Sequence, residues 1–395
     1  MSNRYQELDS LRGLAALSVL FSHMYLLFHE TLISELLFEF GILRIAVAGS
    51  EAVILFFILS GFVLSLPFYS NRQVNYGAYV IRRFCRIYTP YIAAIGLAIL
   101  CRELFYSGKV AGLTNWFNGS WGSEVDAGLV TNHLLLIGTF SSNLNNIVWS
   151  LVHEMRISLV FPFIMFLLVR VNWKIGIAFG IMLSGAAVVY SSVTNVSFAG
   201  TELYSTIHYC AMFVFGALLA KYRDEIRKKI VTLSSRNKIM LFFIGIILYV
   251  YAHPSFIVNI IFQGIKPFYR TVLDSWFVSL GASILIIFAI SSSPFSKILK
   301  NKFVNYIGKI SYSLYLIHLP ILLSCVHLFH HTIPLWAICL IGVSLTLACS
   351  SMMYYLIEKP AIKLGKLLTR PIVKDSTKRS MMSGNDSLKK KSISN

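Results

Sequence analysis

The sequence predicts an all-α fold, a polytopic integral membrane protein of about ten transmembrane helices with both termini in the cytoplasm. Three observations carry this. Of 395 residues, 56% are hydrophobic and 13% charged, whereas soluble domains run near a quarter charged. Twenty-nine Phe and twenty Tyr add to the apolar load, and mean hydropathy is +0.69. A water-soluble fold of this length could not hide that much apolar surface, but a bilayer is itself an apolar solvent. The second observation is a series of apolar runs, and the third is the placement of Lys and Arg between them.

The runs cover residues 11–29, 45–68, 87–106, 147–169, 175–193, 205–220, 239–252, 272–290, 308–330 and 335–357, against the roughly 20 residues that cross about 30 Å of hydrocarbon. Residues 131–140 are too few to span and read as a re-entrant or interfacial piece. Arg72, Arg82, Arg83 and Arg86 lie between runs two and three, and Arg170 and Lys174 between four and five. Lys221, Arg223, Arg227, Lys228, Lys229, Arg236 and Lys238 lie between six and seven, and Lys297, Lys300, Lys302 and Lys309 between eight and nine. The intervening loops are poor in base and carry Glu30, Glu35, Glu39, Glu124, Asp126 and Glu202. Basic and non-basic loops therefore alternate, which places the basic ones and both termini in the cytoplasm.

The same placement accounts for the formal charge of +18 without nucleic acid as a partner. The six cysteines are scattered, mostly within apolar runs, with no C-x-x-C, so neither a zinc site nor a disulfide framework is readable. No cleavable signal peptide is expected, because the first run carries Arg12 and His23 and no small-residue cleavage site follows it. The largest outer loop, 107–146, holds Trp116 and Trp121, a composition that suits a lid, a carbohydrate platform or interfacial anchoring. Asn118-Gly119-Ser120 and Asn195-Val196-Ser197 match glycosylation acceptors. The first 365 residues read as one transmembrane domain, and 366–395 as a Ser/Lys-rich cytoplasmic tail, disordered by composition and suited to anionic lipid. No internal repeat is visible.

A charge in hydrocarbon costs several kcal/mol, so each ionisable residue inside a run asks for a reason. Arg12 and His23 are eleven residues apart on one helix face, roughly 16 Å along the axis. Arg12 alone also reads as a snorkelling anchor, and His23 as a hydrogen-bonded core histidine. Glu154 lies about 10 Å below the outer boundary if its helix starts there, and His23 about 12 Å. At one level they are expected to form an acid–base pair, or a buried structural ion pair. Arg82, Arg83 and Arg86 open the third helix, and guanidinium forks there suit the phosphates of a cytoplasmic ligand, although topology signalling also explains them. Ser311, Tyr312, Tyr315 and His318 form a polar stripe expected to line a cavity or a helix contact. The small pair Ser60-Gly61 marks a place where another backbone can approach closely.

These motifs together resemble acyltransferase family 3, the integral-membrane O-acyltransferases of surface glycans. The resemblance runs from Glu7-Leu8-Asp9-Ser10-Leu11-Arg12-Gly13 to Tyr355-Leu356-Ile357-Glu358-Lys359-Pro360. Between them lie Arg12-x10-His23, Phe56-Phe57-Ile58-Leu59-Ser60-Gly61-Phe62, Arg82-Arg83-x-x-Arg86-Ile87-Tyr88-x-Pro90-Tyr91, Trp149-Ser150-Leu151-x-x-Glu154, and Gly308-x-x-Ser311-Tyr312-x-x-Tyr315-x-x-His318-x-Pro320. Two departures stand out. Ile157 and Ser158 occupy positions where the family often has Phe-Tyr, which bears on the acceptor pocket. No extracytoplasmic hydrolase-like domain follows the last helix, as in the stand-alone form.

The resemblance implies a membrane enzyme, in a bacterial inner membrane, that moves an acyl group from cytoplasmic acyl-CoA, usually acetyl-CoA, to a hydroxyl of a surface or lipid-linked glycan. Acetyl-CoA is then a co-substrate, and no bound cofactor or metal is expected. His23 and Glu154 are the expected catalytic pair. Arg82, Arg83 and Arg86, joined by Arg12, are expected around the CoA phosphates, with Ser60, Tyr312, Tyr315 and His318 along the pantetheine arm. Direct transfer and an acyl-histidine both remain open. A transporter of acyl groups or lipid-linked sugars is the alternative, disfavoured by the missing repeats.

Overall fold

Helices make up most of the described residues. The structure is a computed structural model that describes residues 5–27, 31–70, 74–122, 124–136, 144–194 and 200–370. Arg72, Glu30, the Asn195 glycosylation sequence and the tail from residue 371 lie outside the described residues. The long helices are α1 (Gln6–Tyr25), α3 (Gly49–Ser65), α4 (Tyr76–Phe105), α7 (Val148–Leu168), α8 (Trp173–Thr194), α9 (Leu203–Thr232), α10 (Ser235–Val250), α12 (Pro267–Ser291), α14 (Lys302–Phe329) and α15 (Leu335–Met353). Shorter ones are α2 (Leu32–Phe38), α5 (Asn115–Gly119), α6 (Ala127–Leu134), α11 (Pro254–Ile261), α13 (Ser293–Leu299) and α16 (Lys359–Leu368). Local signals set several starts. Asn75, Ser234 and Asn301 accept from backbone N–H groups as N-caps of α4, α10 and α14, and Pro254 and Pro267 occupy first turns, where a missing N–H costs nothing.

Among the described residues, eight helices are long and apolar enough to cross a membrane, and nine when α10 and α11, bent by 52°, count as one. The remaining predicted span is α1, whose 20 residues reach about 30 Å but carry Asp9, Arg12 and His23 and so fall short in apolarity. Its burial explains how it tolerates them: α1 packs between α3 and α14. The predicted 131–140 piece is the short helix α6, with residues from 137 outside the described set.

Glycines bring the central helices into backbone contact. A Cβ on Gly13 would lie 2.6 Å from the backbone N of Gly308, so α1 and α14 touch there. Gly61 abuts the backbone of Phe213, and Gly216 that of Ile58, which joins α3 to α9. The close approach expected at Ser60-Gly61 is present. At the end carrying the basic loops, cytoplasmic by the positive-inside rule, Lys221 Nζ donates to the carbonyls of Leu168, Val169 and Val171 and closes the C-terminus of α7. There α16 lies antiparallel to α4, with Gly365 against Cys85 and Arg82 Nε 2.6 Å from Thr369 Oγ1. The boundary expected after residue 365 thus falls inside a packed helix.

At the opposite end the loop after α4 folds back onto the bundle. Trp121 is buried, and its indole N–H donates to Leu144 O at 2.9 Å. The Asn118 amide is used on both sides, accepting from Val110 N at 2.8 Å and donating to the carbonyls of Val110 and Leu113. A glycan on that nitrogen would break this brace.

Candidate active site

From the Gly13–Gly308 contact, α1 and α14 climb in parallel. Ten residues on, about 15 Å along each axis, stand His23 and His318. Equal spacing on touching helices brings the imidazoles together: His23 Nδ1 lies 2.8 Å from His318 Nε2, with ring planes 14° apart. The tautomers follow from the other partners. His318 Nδ1 faces only acceptors, the carbonyls of Leu314 at 3.2 Å and Tyr315 at 2.9 Å, so it carries the proton and donates. His318 Nε2 then holds a lone pair and accepts from His23 Nδ1–H. This leaves His23 Nε2 as a lone pair with no protein partner among the described residues. His318 is fully buried, whereas His23 is half-buried. Trp116 of α5 stacks on His23, with centroids 5.3 Å apart and planes at 12°.

The acid–base pair expected between His23 and Glu154 is not formed. Glu154 accepts from Arg83 Nη2 at 2.6 Å and from Ser60 Oγ at 3.1 Å. The reason is where α7 begins. Tyr315 OH donates to Ile147 O at 3.2 Å and bonds Ser150 Oγ at 2.7 Å, while Asn145 Nδ2 donates to Leu316 O at 3.1 Å. The first turn of α7 therefore lies beside the middle of α14 and not at the outer boundary. Three residues separate His318 from Tyr315 and four separate Ser150 from Glu154, which sets Glu154 about 10 Å below the histidine pair. The hydrogen bond to His23 expected of Glu154 is made instead by His318, expected only to line the channel.

The arginines divide. Arg83 is buried and spends its fork on Glu154 and on Ser158 Oγ at 2.8 Å. Ser158, one of the two departures from the family pattern, thus faces Arg83. Arg82 is exposed and bonds Thr369. Arg86 is exposed, Arg12 is half-buried, and neither guanidinium has a hydrogen-bond partner among the described residues. The charges facing Arg12 are those of Arg86, Glu154, Asp9 and Arg83. Arg82 and Arg86, expected to share a face, therefore differ in engagement. Tyr312 OH donates to Ile87 O at 2.8 Å and ties α14 to α4 beside this group.

Arginines, Ser60, Tyr312, Tyr315 and the two histidines thus make a polar column through an apolar bundle. A family model described as an acyltransferase domain matches residues 5–355, nearly the whole chain. The chain belongs to acyltransferase family 3. It is a membrane-bound acyltransferase, an integral membrane enzyme that transfers acyl groups. No curated protein matches it, and no solved structure does. In this acyltransferase the column has two distinct parts. An imidazole lone pair is held in one tautomer by His318, and toward the basic-loop end stand guanidiniums with no hydrogen-bond partner among the described residues.

Proposed function

We propose that this acyltransferase moves an acetyl group from cytoplasmic acetyl-CoA to a hydroxyl of a surface or lipid-linked glycan. The observation that carries the reading is the lone pair of His23 Nε2, oriented by His318 above the guanidiniums of Arg12 and Arg86, none of the three having a hydrogen-bond partner among the described residues. The CoA phosphates dock on Arg12 and Arg86, with Arg82 at the rim beside α16. The pantetheine arm rises past Tyr312, Ser60 and Tyr315 and delivers the thioester to His23, while the acceptor enters beneath Trp116. His23 Nε2 takes the hydroxyl proton as that oxygen attacks the thioester carbon. The tetrahedral intermediate collapses, the C–S bond breaks, and the proton passes from the imidazolium to the leaving thiolate, giving ester and free CoA-SH. A variant in which Nε2 first carries the acetyl group uses the same lone pair. Glu154 holds Arg83 in this scheme and does not touch the reacting atoms.

The test is purified protein in detergent with labelled acetyl-CoA and glycan acceptors, read as O-acetyl ester formed. Detergent abolishes sidedness, so ester formation marks an enzyme acting on that acceptor. Absence of ester with every glycan acceptor tried, together with movement of labelled substrate in sealed vesicles, would sink the reading in favour of transport.

A further inference from the structure

A second polar site lies at the outer end of the bundle, away from the histidine column. A cavity of about 250 Å³ opens between α3, α9 and α12, with the start of α11 over it. That is somewhat below the roughly 300–1,000 Å³ of drug-sized pockets, the scale of one small ring. Glu51 is 1% exposed, and its Oε1 takes Arg44 Nη2 at 2.7 Å and His253 Nε2 at 2.9 Å. The other nitrogen of His253 lies 3.5 Å from Asp274 Oδ2. Asp274 in turn accepts from the N–H of Ser255 at 3.0 Å and its hydroxyl at 2.6 Å. Arg270 is fixed by Asn259 Oδ1 at 2.7 Å. Glu51 and Asp274 fall inside the predicted spans 45–68 and 272–290, where a carboxylate requires such partners.

One group on the wall is unspent. Tyr209 is 4% exposed, its ring boxed by Phe57, Trp149, His153 and His208, and its hydroxyl has no hydrogen-bond partner among the described residues. Buried tyrosine hydroxyls ordinarily find one, so this hydroxyl is left for whatever fills the cavity. The charges narrow the occupant. Two carboxylates repel phosphate, and Arg44, Arg270 and His253 repel an ammonium group. A ring bearing several hydroxyls fits, because each hydroxyl both donates and accepts, and Ile54 and Val278 supply apolar wall for its carbon face.

We propose that this cavity binds one neutral sugar unit of the acceptor, next to the unit that is esterified. The proposal rests on the glycan-acceptor reading given above. Position supports it. A Cβ on Gly49 would meet Ser22 Oγ at 2.7 Å, so the first turn of α3 lies at the level of His23. Glu51 is two residues further, about 200° round the helix. The cavity and the histidine are thus separated by the N-terminal end of α3, over which a saccharide chain can pass.

The experiment is saturation-transfer NMR and titration of the purified protein with glucose, galactose, mannose, rhamnose and N-acetylglucosamine, with inorganic phosphate as a control. The expected result is saturable binding of at least one sugar, weakened about fivefold or more in Tyr209→Phe, which removes a single hydroxyl. Arg270→Lys, which keeps the charge but loses the fork, should weaken it as well. Absence of binding by every sugar, binding unaffected by both variants, or preferential binding of phosphate would each overturn the proposal. Ester formation without sugar binding here removes this subsite and leaves the proposed function intact. Sugar binding here without ester formation on any glycan keeps a sugar site but overturns its role beside an esterified unit, together with the proposed function.

Discussion

His23 Nδ1 and His318 Nε2 lie 2.8 Å apart at equal distances above one glycine contact. The proton on His318 is fixed by the carbonyls of Leu314 and Tyr315, and that choice propagates to His23. His23→Ala should lower transfer by about 10²–10⁴-fold, the usual weight of a general base. His318→Ala should cost less than this but change the pH profile, because His23 would no longer be held to one tautomer. His318→Gln, whose side-chain carbonyl can still accept from Nδ1–H, should recover part of the rate. Equal rates in His318→Ala and wild type would remove the positioning role.

The helical fold and the motif residues are legible in sequence, because apolar run length and charge alternation are one-dimensional signals. The Glu154 pairing is not. The ends of an apolar run give depth only where a helix starts at a membrane boundary, whereas α7 starts against Tyr315 inside the bundle. His318 was visible in its polar stripe, but its partner depends on the ten-residue register shared with α1, which only the Gly13–Gly308 contact fixes. Glu51 and Asp274 carried the same signal as Glu154, a carboxylate in an apolar run, but their shared partner His253 lies between helices and gives no periodic cue.

Trp116 stacks on the half-buried ring of His23, a placement that limits water at the nitrogen proposed to take the proton. Trp116→Ala should raise acetyl-CoA hydrolysis relative to transfer, measured as free CoA against ester. An unchanged ratio would leave Trp116 as an anchor of the outer loop.

The α1–α14 contact leaves no room for a side chain. A Cβ on Gly308 would lie 2.5 Å from Asp9 O, and overpacking of this kind costs typically about 1–3 kcal/mol. Gly308→Ala should therefore lower the melting temperature in detergent and reduce activity in the same variant. A variant as stable and active as wild type would show that the helices can part without moving the histidines.

Orientation rests on the alternation of basic loops. In a background without native cysteines, Arg227→Cys and Lys109→Cys, both at exposed positions, should label from opposite sides of the membrane. An impermeant reagent that reaches both in intact cells contradicts the assigned orientation.

The arginine motif should separate into two behaviours. Arg12 and Arg86 have no hydrogen-bond partner among the described residues, so their replacement breaks no hydrogen bond that holds the fold. Arg12→Gln and Arg86→Gln should keep the wild-type melting temperature and weaken acetyl-CoA binding, each losing up to about 1.5–3 kcal/mol of charge-assisted hydrogen bonding. Arg83 is different, because it is bonded to Glu154 and Ser158. Arg83→Gln strands a carboxylate inside the bundle, and breaking a buried pair from one side costs about 3–5 kcal/mol. That variant should melt earlier whatever its affinity for CoA. Replacing both partners, Arg83→Met with Glu154→Leu, removes the stranded charge and should restore much of the lost stability. Thermal melts of the five proteins, wild type included, read beside acetyl-CoA titrations decide the matter. If Arg83→Gln melts with wild type while Arg12→Gln and Arg86→Gln bind acetyl-CoA unchanged, the division is wrong, and the three-arginine motif acts only as a topology signal.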